Sequence, residues 1–437
     1  MALKSKYPLI SLGEVAKVHS GFAFKSSDMG NSGYPIIKIK NINPPNVDIE
    51  NCDYIAEEII QSIPNFDRYL LHSGDTLIAM TGATAGKVGR FYSDSNNYFV
   101  NQRVGKVHIF GKNLSNAEYI YQILRTKKFS QDILALSSGS AQGNISSSQI
   151  EKYKIPLPPI EIQNSIGNIL GTLDKKIRLN KKTNQTLEEV AKSLFKSWFI
   201  DFDPVKAKAE DCSTELPDEI NDLFPDSFED SELGEIPSGW KLGNIDQIAM
   251  NPKVIAKPYQ MDCSDRYIGL EHMPRKSIEL ADSGTAENLA SNKNVFNKGD
   301  ILYGKLRPYF KKTGLAQFDG VCSTDIVVIR EKFKLCRGFI CFLLASNPFI
   351  DFTVALSSGT RMPRTSWNQM CEFLLPIPKL TLVQIFGEIV SPMLDKIRTN
   401  SEQSNILSSV RDELLSKLIS GELRITDAEK IIDEAGT

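Results

Sequence analysis

Residues 135 to 139, ALSSG, recur as ALSSG at 355 to 359. An internal duplication of this kind constrains architecture before any local propensity does, because each copy must build the same frame. At the same offset of 220, Pro156 and Pro158 align with Pro376 and Pro378, and Gly167 and Ile169 with Gly387 and Ile389. Lys176-Ile177-Arg178 aligns with Lys396-Ile397-Arg398, and Asn180 with Asn400. The register holds over about 45 residues. Earlier in each half the match loosens and the offset drifts. Leu12-Gly13-Glu14-Val15 resembles Leu242-Gly243-Asn244-Ile245, and Ser73-Gly74-Asp75-Thr76-Leu77 resembles Lys298-Gly299-Asp300-Ile301-Leu302. Halves that vary in front and agree behind suggest two readers with different targets on one common frame.

Residues 1 to 155 and 237 to 375 alternate short apolar runs with Gly, Pro, Asn and Ser punctuation, which predicts strands and turns. A helix near NAEYIYQILRTKKFSQDIL, and its counterpart in GFICFLLASNPFIDFTVAL, precedes each ALSSG. Both modules are therefore expected to be α+β. With 437 residues, 41% of them hydrophobic, the chain is long enough for two or three domains with real cores. The expected partition is a first module at 1–155, a helical region at 156–199, a linker at 200–236, a second module at 237–375, a second helical region at 376–420, and a tail at 421–437.

Net charge of −2 is a poor guide, because residues 200 to 236 carry 13 acidic and 2 basic side chains. Taking that segment's −11 away leaves +9 on the other 400 residues, enough for phosphate contact where it clusters. The segment also holds Pro204, Pro217 and Pro225 and lacks apolar periodicity, so it is expected to wrap the surface as a linker. Seven cysteines, an odd number without C-x-x-C spacing, fit reduced core-filling thiols rather than a disulfide framework or zinc site. No apolar run reaches the roughly 18 residues of a membrane span, and the start has no signal-peptide block, so a cytoplasmic protein is expected.

After each proline cluster comes a stretch that accepts a heptad. Its a positions are Ile166, Leu173, Asn180, Leu187 and Leu194, and then Phe386, Met393, Asn400, Leu407 and Leu414. The d positions are mixed: Ile169, Lys176, Thr183, Val190 and Ser197, and Ile389, Lys396, Gln403, Val410 and Lys417. Helices of this length span on the order of 60 Å, too long for one small domain to cover. They are expected to cover each other as an antiparallel coiled coil with a pseudo-two-fold axis. Asn180 and Asn400 would then face each other and fix the register. An alternative seam, shifted by one position, uses Ile177 and Trp198 and leaves both asparagines to solvent.

Two variable modules, each followed by a proline step and a long helix carrying LDKKIRLNKK or LDKIRTNSE, resemble the specificity subunits of Type I restriction-modification systems. ELGEIPSGWKLGNI at 232 to 245 and LFKSWFIDFDPVKAK at 194 to 208 look like that family too. The resemblance covers essentially the entire chain. It implies two target recognition domains, each reading one half of a split DNA site, on helices that act as spacer and dock two methyltransferase subunits, with restriction subunits joining for cleavage. S-adenosylmethionine, ATP and Mg would belong to those partners, and no cofactor to this chain. Readers mounted about a helical turn apart, near 34 Å, require a bipartite site with an unread gap. Since the modules differ, the site should be asymmetric.

Candidate DNA contacts follow from residue chemistry. TGATAGKVGR, from Thr81 to Arg90, offers Lys87 and Arg90 on a glycine-rich loop, and its counterpart YGKLRPYFKK offers Tyr303, Lys305, Arg307, Tyr309, Lys311 and Lys312. Arg and Lys suit guanine or phosphate, and Tyr suits sugar or thymine methyls. The loops after ALSSG add Gln142 and Asn144, suited to adenine, and Arg361 and Arg364, suited to guanine.

Enzyme readings fail on context. In GATAGK only three residues separate Gly82 from Gly86, and Val88 stands where a P-loop needs Ser or Thr. Asn43-Pro44-Pro45 superficially resembles an adenine-methyltransferase motif, but Asn46 follows where an aromatic should stack on the base. His19, His72, His108 and His272 show no metal spacing. A non-DNA coiled-coil scaffold remains as an alternative, and a standalone DNA-modifying enzyme as a weaker one.

Overall fold

A computed structural model of the chain describes residues 6 to 95, 97 to 111, 114 to 138, 143 to 356 and 363 to 434. It falls into two compact units, residues 1 to 176 with 407 to 437, and residues 177 to 406. Each unit therefore takes one module together with a half of both long helices, Ile160–Phe199 and Leu380–Ser420.

In the first unit a six-stranded sheet runs in the order Ala16–Ser20, Val104–Ile109, Thr76–Ala79, Val88–Arg90, Asn46–Val47, Ile42–Asn43. Leu77, Ala79, Val100 and Val104 are buried in its core. A four-stranded sheet built on Tyr34–Ile37 lies in the same module. Leu9–Ser11 pairs with Lys154–Pro156, so the start of the module is stitched to the strand that leads into the first long helix. Pro158 and Pro159 follow, which cannot continue a ladder and mark the helix start.

The second unit repeats this plan. A four-stranded sheet runs Ala249–Met250, Ile326–Glu331, Ile301–Gly304, Thr313–Leu315, and a five-stranded sheet contains Lys293–Phe296 and Gly320–Cys322. Lys241–Asn244 pairs with Leu374–Ile377 as the same stitch, now before the second long helix. Gly421, at φ +74°, ends that helix in a conformation that glycine adopts without strain.

Within the second unit, residues 177 to 199 run antiparallel to 380 to 406. Phe195 and Trp198 meet Phe386 at ring separations of 5.9 and 6.0 Å. Nearer the middle the seam becomes polar. Asn180 Nδ2 donates to the Asn400 carbonyl at 3.3 Å and to Gln403 Oε1 at 2.9 Å, while Asn184 Nδ2 donates to the Ile397 carbonyl at 3.2 Å. Asn400 Nδ2 donates to Asn184 Oδ1 at 2.9 Å. Asn180 and Asn400 are both buried and adjacent, but Asn400 spends its side chain on Asn184, one turn along. In the first unit, residues 160 to 176 bury Ile166, Leu170 and Leu173, and 407 to 420 bury Leu407, Leu414 and Leu418.

The expected d column needs correction. Val190 is 47% exposed, whereas Leu170, Ala191 and Trp198, together with Val390, Ile397 and Leu418, are buried. The a column holds at Ile166, Leu173, Asn180, Phe386, Asn400, Leu407 and Leu414, but at Leu187, Leu194 and Met393 the buried residue is the next one, Glu188, Phe195 and Leu394. The second column lies one residue later, as the shifted seam had it, yet both asparagines stay inside. Spacings of 3 and 4 alternate either way round, and only the facing surface decides which comes first.

The acidic segment is more than a wrap. Asp203–Ala209 and Asp218–Asn221 are helices, Phe228–Ser231 pairs with Gly234–Pro237, and Val205 and Phe224 insert into the aromatic core around Trp198 and Phe199. Three cysteines fill the core as expected, and burial pushes the Cys322 and Cys341 thiols up to about 12. Cys212 and Cys263 are exposed, so that reading does not extend to them. Among the described residues no single helix is long and apolar enough to cross a membrane.

Candidate nucleic-acid interface

In the first module three segments meet beyond the end of strand Thr76–Ala79. The chain turns there through Gly82, at φ +65°, where a side chain would be strained. The Gly82 amide donates to the Gly143 carbonyl at 3.0 Å, and the Ile145 amide to the Met80 carbonyl at 3.0 Å, so the loop after the first ALSSG lies across the turn. The Met80 amide donates to the Arg103 carbonyl at 2.9 Å, bringing in the residue that precedes strand Val104–Ile109. Ser146 caps the short helix Ser147–Glu151 by accepting from the Gln149 amide, which pins the far end of the loop.

The second module reproduces this junction bond for bond. The Arg307 amide donates to the Pro363 carbonyl at 2.9 Å, the Thr365 amide to the Lys305 carbonyl at 3.0 Å, and the Lys305 amide to the Asp325 carbonyl at 3.0 Å. Ser366 repeats the cap on Trp367–Met370. These bonds match Met80 with Lys305, Gly82 with Arg307, Arg103 with Asp325, and Asn144 with Arg364. Bridges between Thr81 and Asn144, and between Leu306 and Arg364, give the same pairing. The glycine-rich turns and the described ends of the loops after ALSSG, from Gly143 and from Pro363, form one surface in each module.

Side chains on that common backbone differ. Arg103, exposed, donates through Nη1 to Asn144 Oδ1 at 2.7 Å and to Thr81 Oγ1 at 3.4 Å. Arg364, 57% exposed, pairs with Asp325 at 3.4 Å. Arg307 is exposed and adopts φ +53°. Beside it Tyr309 packs edge-on to Phe310 at 4.7 Å, and the Arg275 guanidinium lies over the Phe310 ring at 4.0 Å. Lys87 is exposed and Lys305 half-buried.

Four of the candidates are held elsewhere. Arg90 is 8% exposed: it pairs with Glu118, donates to the Gly74 carbonyl at 3.1 Å and covers the Tyr121 ring. Burial works against its charge, and Glu118 outweighs it. Tyr303 is 2% exposed, with its hydroxyl on Thr353 at 3.1 Å, and burial pushes it up to about 12. Lys312 donates to the Leu270 carbonyl, and burial lowers its pKa, with Arg275 adding to the effect. Lys311 is tied to Asn347 at 2.7 Å. Arg90 and Tyr303 thus serve the core of their modules and offer nothing to a duplex. Gln142 and Arg361 lie outside the described residues. Arg103, Arg275 and Asp325 were missed, and the repeat signal could have found Arg103 and Asp325, because each immediately precedes the last long strand of its module.

The surface holds guanidinium, ammonium, amide and aromatic groups on loops, and among the described residues no group of three His, Cys, Asp or Glu side chains could hold a metal. That is an equipment for recognition by hydrogen bonding.

Comparison with known proteins agrees with this reading. Residues 4–189 match the model of the Type I restriction modification DNA specificity domain. The chain is 28% identical over 320 residues to the Type I restriction enzyme MjaIX specificity subunit of Methanocaldococcus jannaschii, covering 71% of this chain and 70% of that protein. To the HindI specificity subunit of Haemophilus influenzae it is 22% identical, covering 94% and 98%. The crystal structure of the Type I S subunit from M. genitalium shares the fold at a TM-score of 0.55 and 15% identity, over 95% of this chain and 96% of that one. The chain is similar to the specificity subunits of Type I restriction-modification systems across most of its length.

Proposed function

We propose that this chain is the DNA-reading subunit of a Type I restriction-modification complex, recognising a bipartite, asymmetric site and carrying no catalytic centre of its own. The observation that carries this is the pair of junctions: one backbone arrangement, built twice from the same hydrogen bonds, presenting Arg103 with Asn144 in one module and Arg364 with Asp325 in the other. A common frame with exchanged side chains is what two readers of different sequences need. The long helices are the surface on which two adenine-methyltransferase subunits would dock, and restriction subunits would complete the assembly. S-adenosylmethionine, ATP and Mg would be bound by those partners, in the cytoplasm where the DNA is.

The test is to map methylated adenines in DNA from cells carrying this chain with the methyltransferase subunit of its own system, and again with the chain deleted. A split, asymmetric motif that disappears on deletion is the expected result. Methylation that persists unchanged would leave a scaffold and refute the reading.

A further inference from the structure

The two junctions differ in a specific way. In the first module the guanidinium comes from the residue before strand Val104–Ile109, and its acceptor, Asn144, from the crossing loop. In the second the guanidinium, Arg364, comes from the crossing loop, and its acceptor, Asp325, from the residue before strand Ile326–Glu331. Cation and acceptor have exchanged chain positions, yet both junctions keep an exposed guanidinium beside an oxygen from the facing segment.

Stability does not account for this. An ion pair at 3.4 Å with Arg364 57% exposed contributes little to folding. The loops are already fastened by the backbone hydrogen bonds common to both modules. Asn144 and Thr81 accept from Arg103 at Nη1, and Asp325 forms an ion pair with Arg364 at Nη2, so each planar fork is anchored at one nitrogen and its other donors meet no partner among the described residues. A planar fork of donors fixed at one corner and open to solvent matches the paired acceptors O6 and N7 on the major-groove edge of guanine. A lysine in either place would keep the charge and lose the fork.

We propose that each module reads a guanine through this shared seat, by Arg103 in the first module and Arg364 in the second, with Asn144 and Asp325 setting the plane of the guanidinium. The proposal rests on the reading of the chain as a DNA-recognition subunit, and assigns the specificity-determining residue in each half.

The experiment uses the full chain with its methyltransferase partner in cells and reads the methylated motif by sequencing for the parent and for R103A, R103K, R364A and R364K. The expected result for the two Arg103 variants is loss of preference at one G·C pair in one half-site, a drop in discrimination of roughly tenfold to a hundredfold, with the other half unchanged. The Arg364 variants should do the same in the opposite half only. If an alanine variant abolishes methylation altogether, the lysine variant decides, since it keeps the charge beside Asn144 or Asp325. An unchanged motif, relaxation at an A·T pair, or weaker methylation at an unaltered motif would overturn the proposal, the last by making these arginines phosphate contacts. Absence of any chain-dependent split motif in the parent would refute the DNA-recognition reading itself.

Discussion

Asp174 accepts a hydrogen bond from Arg411 at 2.7 Å and from Arg125 at 2.8 Å, so one carboxylate joins the two long helices to the end of the module helix Ala117–Leu124 within the first unit. Burial pushes the Asp174 carboxyl up, but the Arg125 and Arg411 guanidiniums outweigh it and hold it below the usual carboxylate range. Replacing it by D174N preserves shape, takes the paired carboxylate from the buried Arg125 guanidinium and leaves Arg411 with Asp412 alone, at a cost of about 3 kcal/mol near neutral pH. A carboxyl depressed in the folded state stabilises above its unfolded value, about 3.9, and loses that contribution as pH falls through its folded value. Urea unfolding of parent and variant should therefore show a gap at pH 7 that narrows below about pH 4. A gap that is the same throughout would show that packing, and not charge, is responsible.

Gly167 and Gly387 occupy matched places in the repeat. A Cβ on Gly387 would lie 1.8 Å from the Leu335 carbonyl oxygen, whereas on Gly167 the nearest atom is the Asn116 side-chain oxygen at 2.7 Å. Alanine is otherwise favoured in a helix by about 1 kcal/mol. For G387A the backbone clash should win, destabilising by at least about 1–3 kcal/mol. For G167A the Asn116 side chain must give up its cap on the Tyr119 amide to move, a loss that roughly offsets the helix gain, and the net change should be under about 1 kcal/mol. Thermal melting of the two variants checks the order.

The duplication made both modules, the long helices and the polar step at Asn180 and Asn400 readable from sequence, because identical short words at one offset leave little freedom in architecture. Side-chain direction was less legible. Arg90 sits in a basic, glycine-rich word, but its partner Glu118 is 28 residues away, and nothing local shows that the two meet. Tyr303 reads as an aromatic near lysines, yet its strand Ile301–Gly304 is buried on both faces. The acidic stretch hides Val205 and Phe224 among thirteen carboxylates, so composition outweighed two residues that pack into the core. Asn184 was invisible for a related reason: it lies in the column that the heptad assigned to the outside.

Asn184 and Asn400 form a side-chain hydrogen bond at 2.9 Å that both helices bury. N184A removes the acceptor and leaves the Asn400 amide without that partner, which costs about 1–3 kcal/mol. Replacing both in N184L/N400L removes donor and acceptor together, and the double variant should be nearly as stable as the parent or more stable. The urea midpoint of the double variant should thus lie above that of N184A. If it falls below, the polar step is packed too tightly for leucine, and its role is steric.

Lys87 and Lys312 also hold equivalent places, each with its carbonyl accepting from the strand before the turn: the Ala79 amide at 2.9 Å and the Gly304 amide at 2.8 Å. Their side chains part company. Lys87 is exposed at the rim of the first junction, while Lys312 folds back on the Leu270 carbonyl. A lysine at the rim suits a phosphate, which gives affinity without sequence preference. K87A should weaken binding of the assembled complex to all duplexes alike and lower the slope of log K against log salt by roughly 0.9, the share of one phosphate contact. K312A should leave that slope unchanged and lower the melting temperature instead. Titrations of both variants over a range of salt concentrations separate the two; a shallower slope for K312A would mean that its tether to Leu270 gives way when DNA binds.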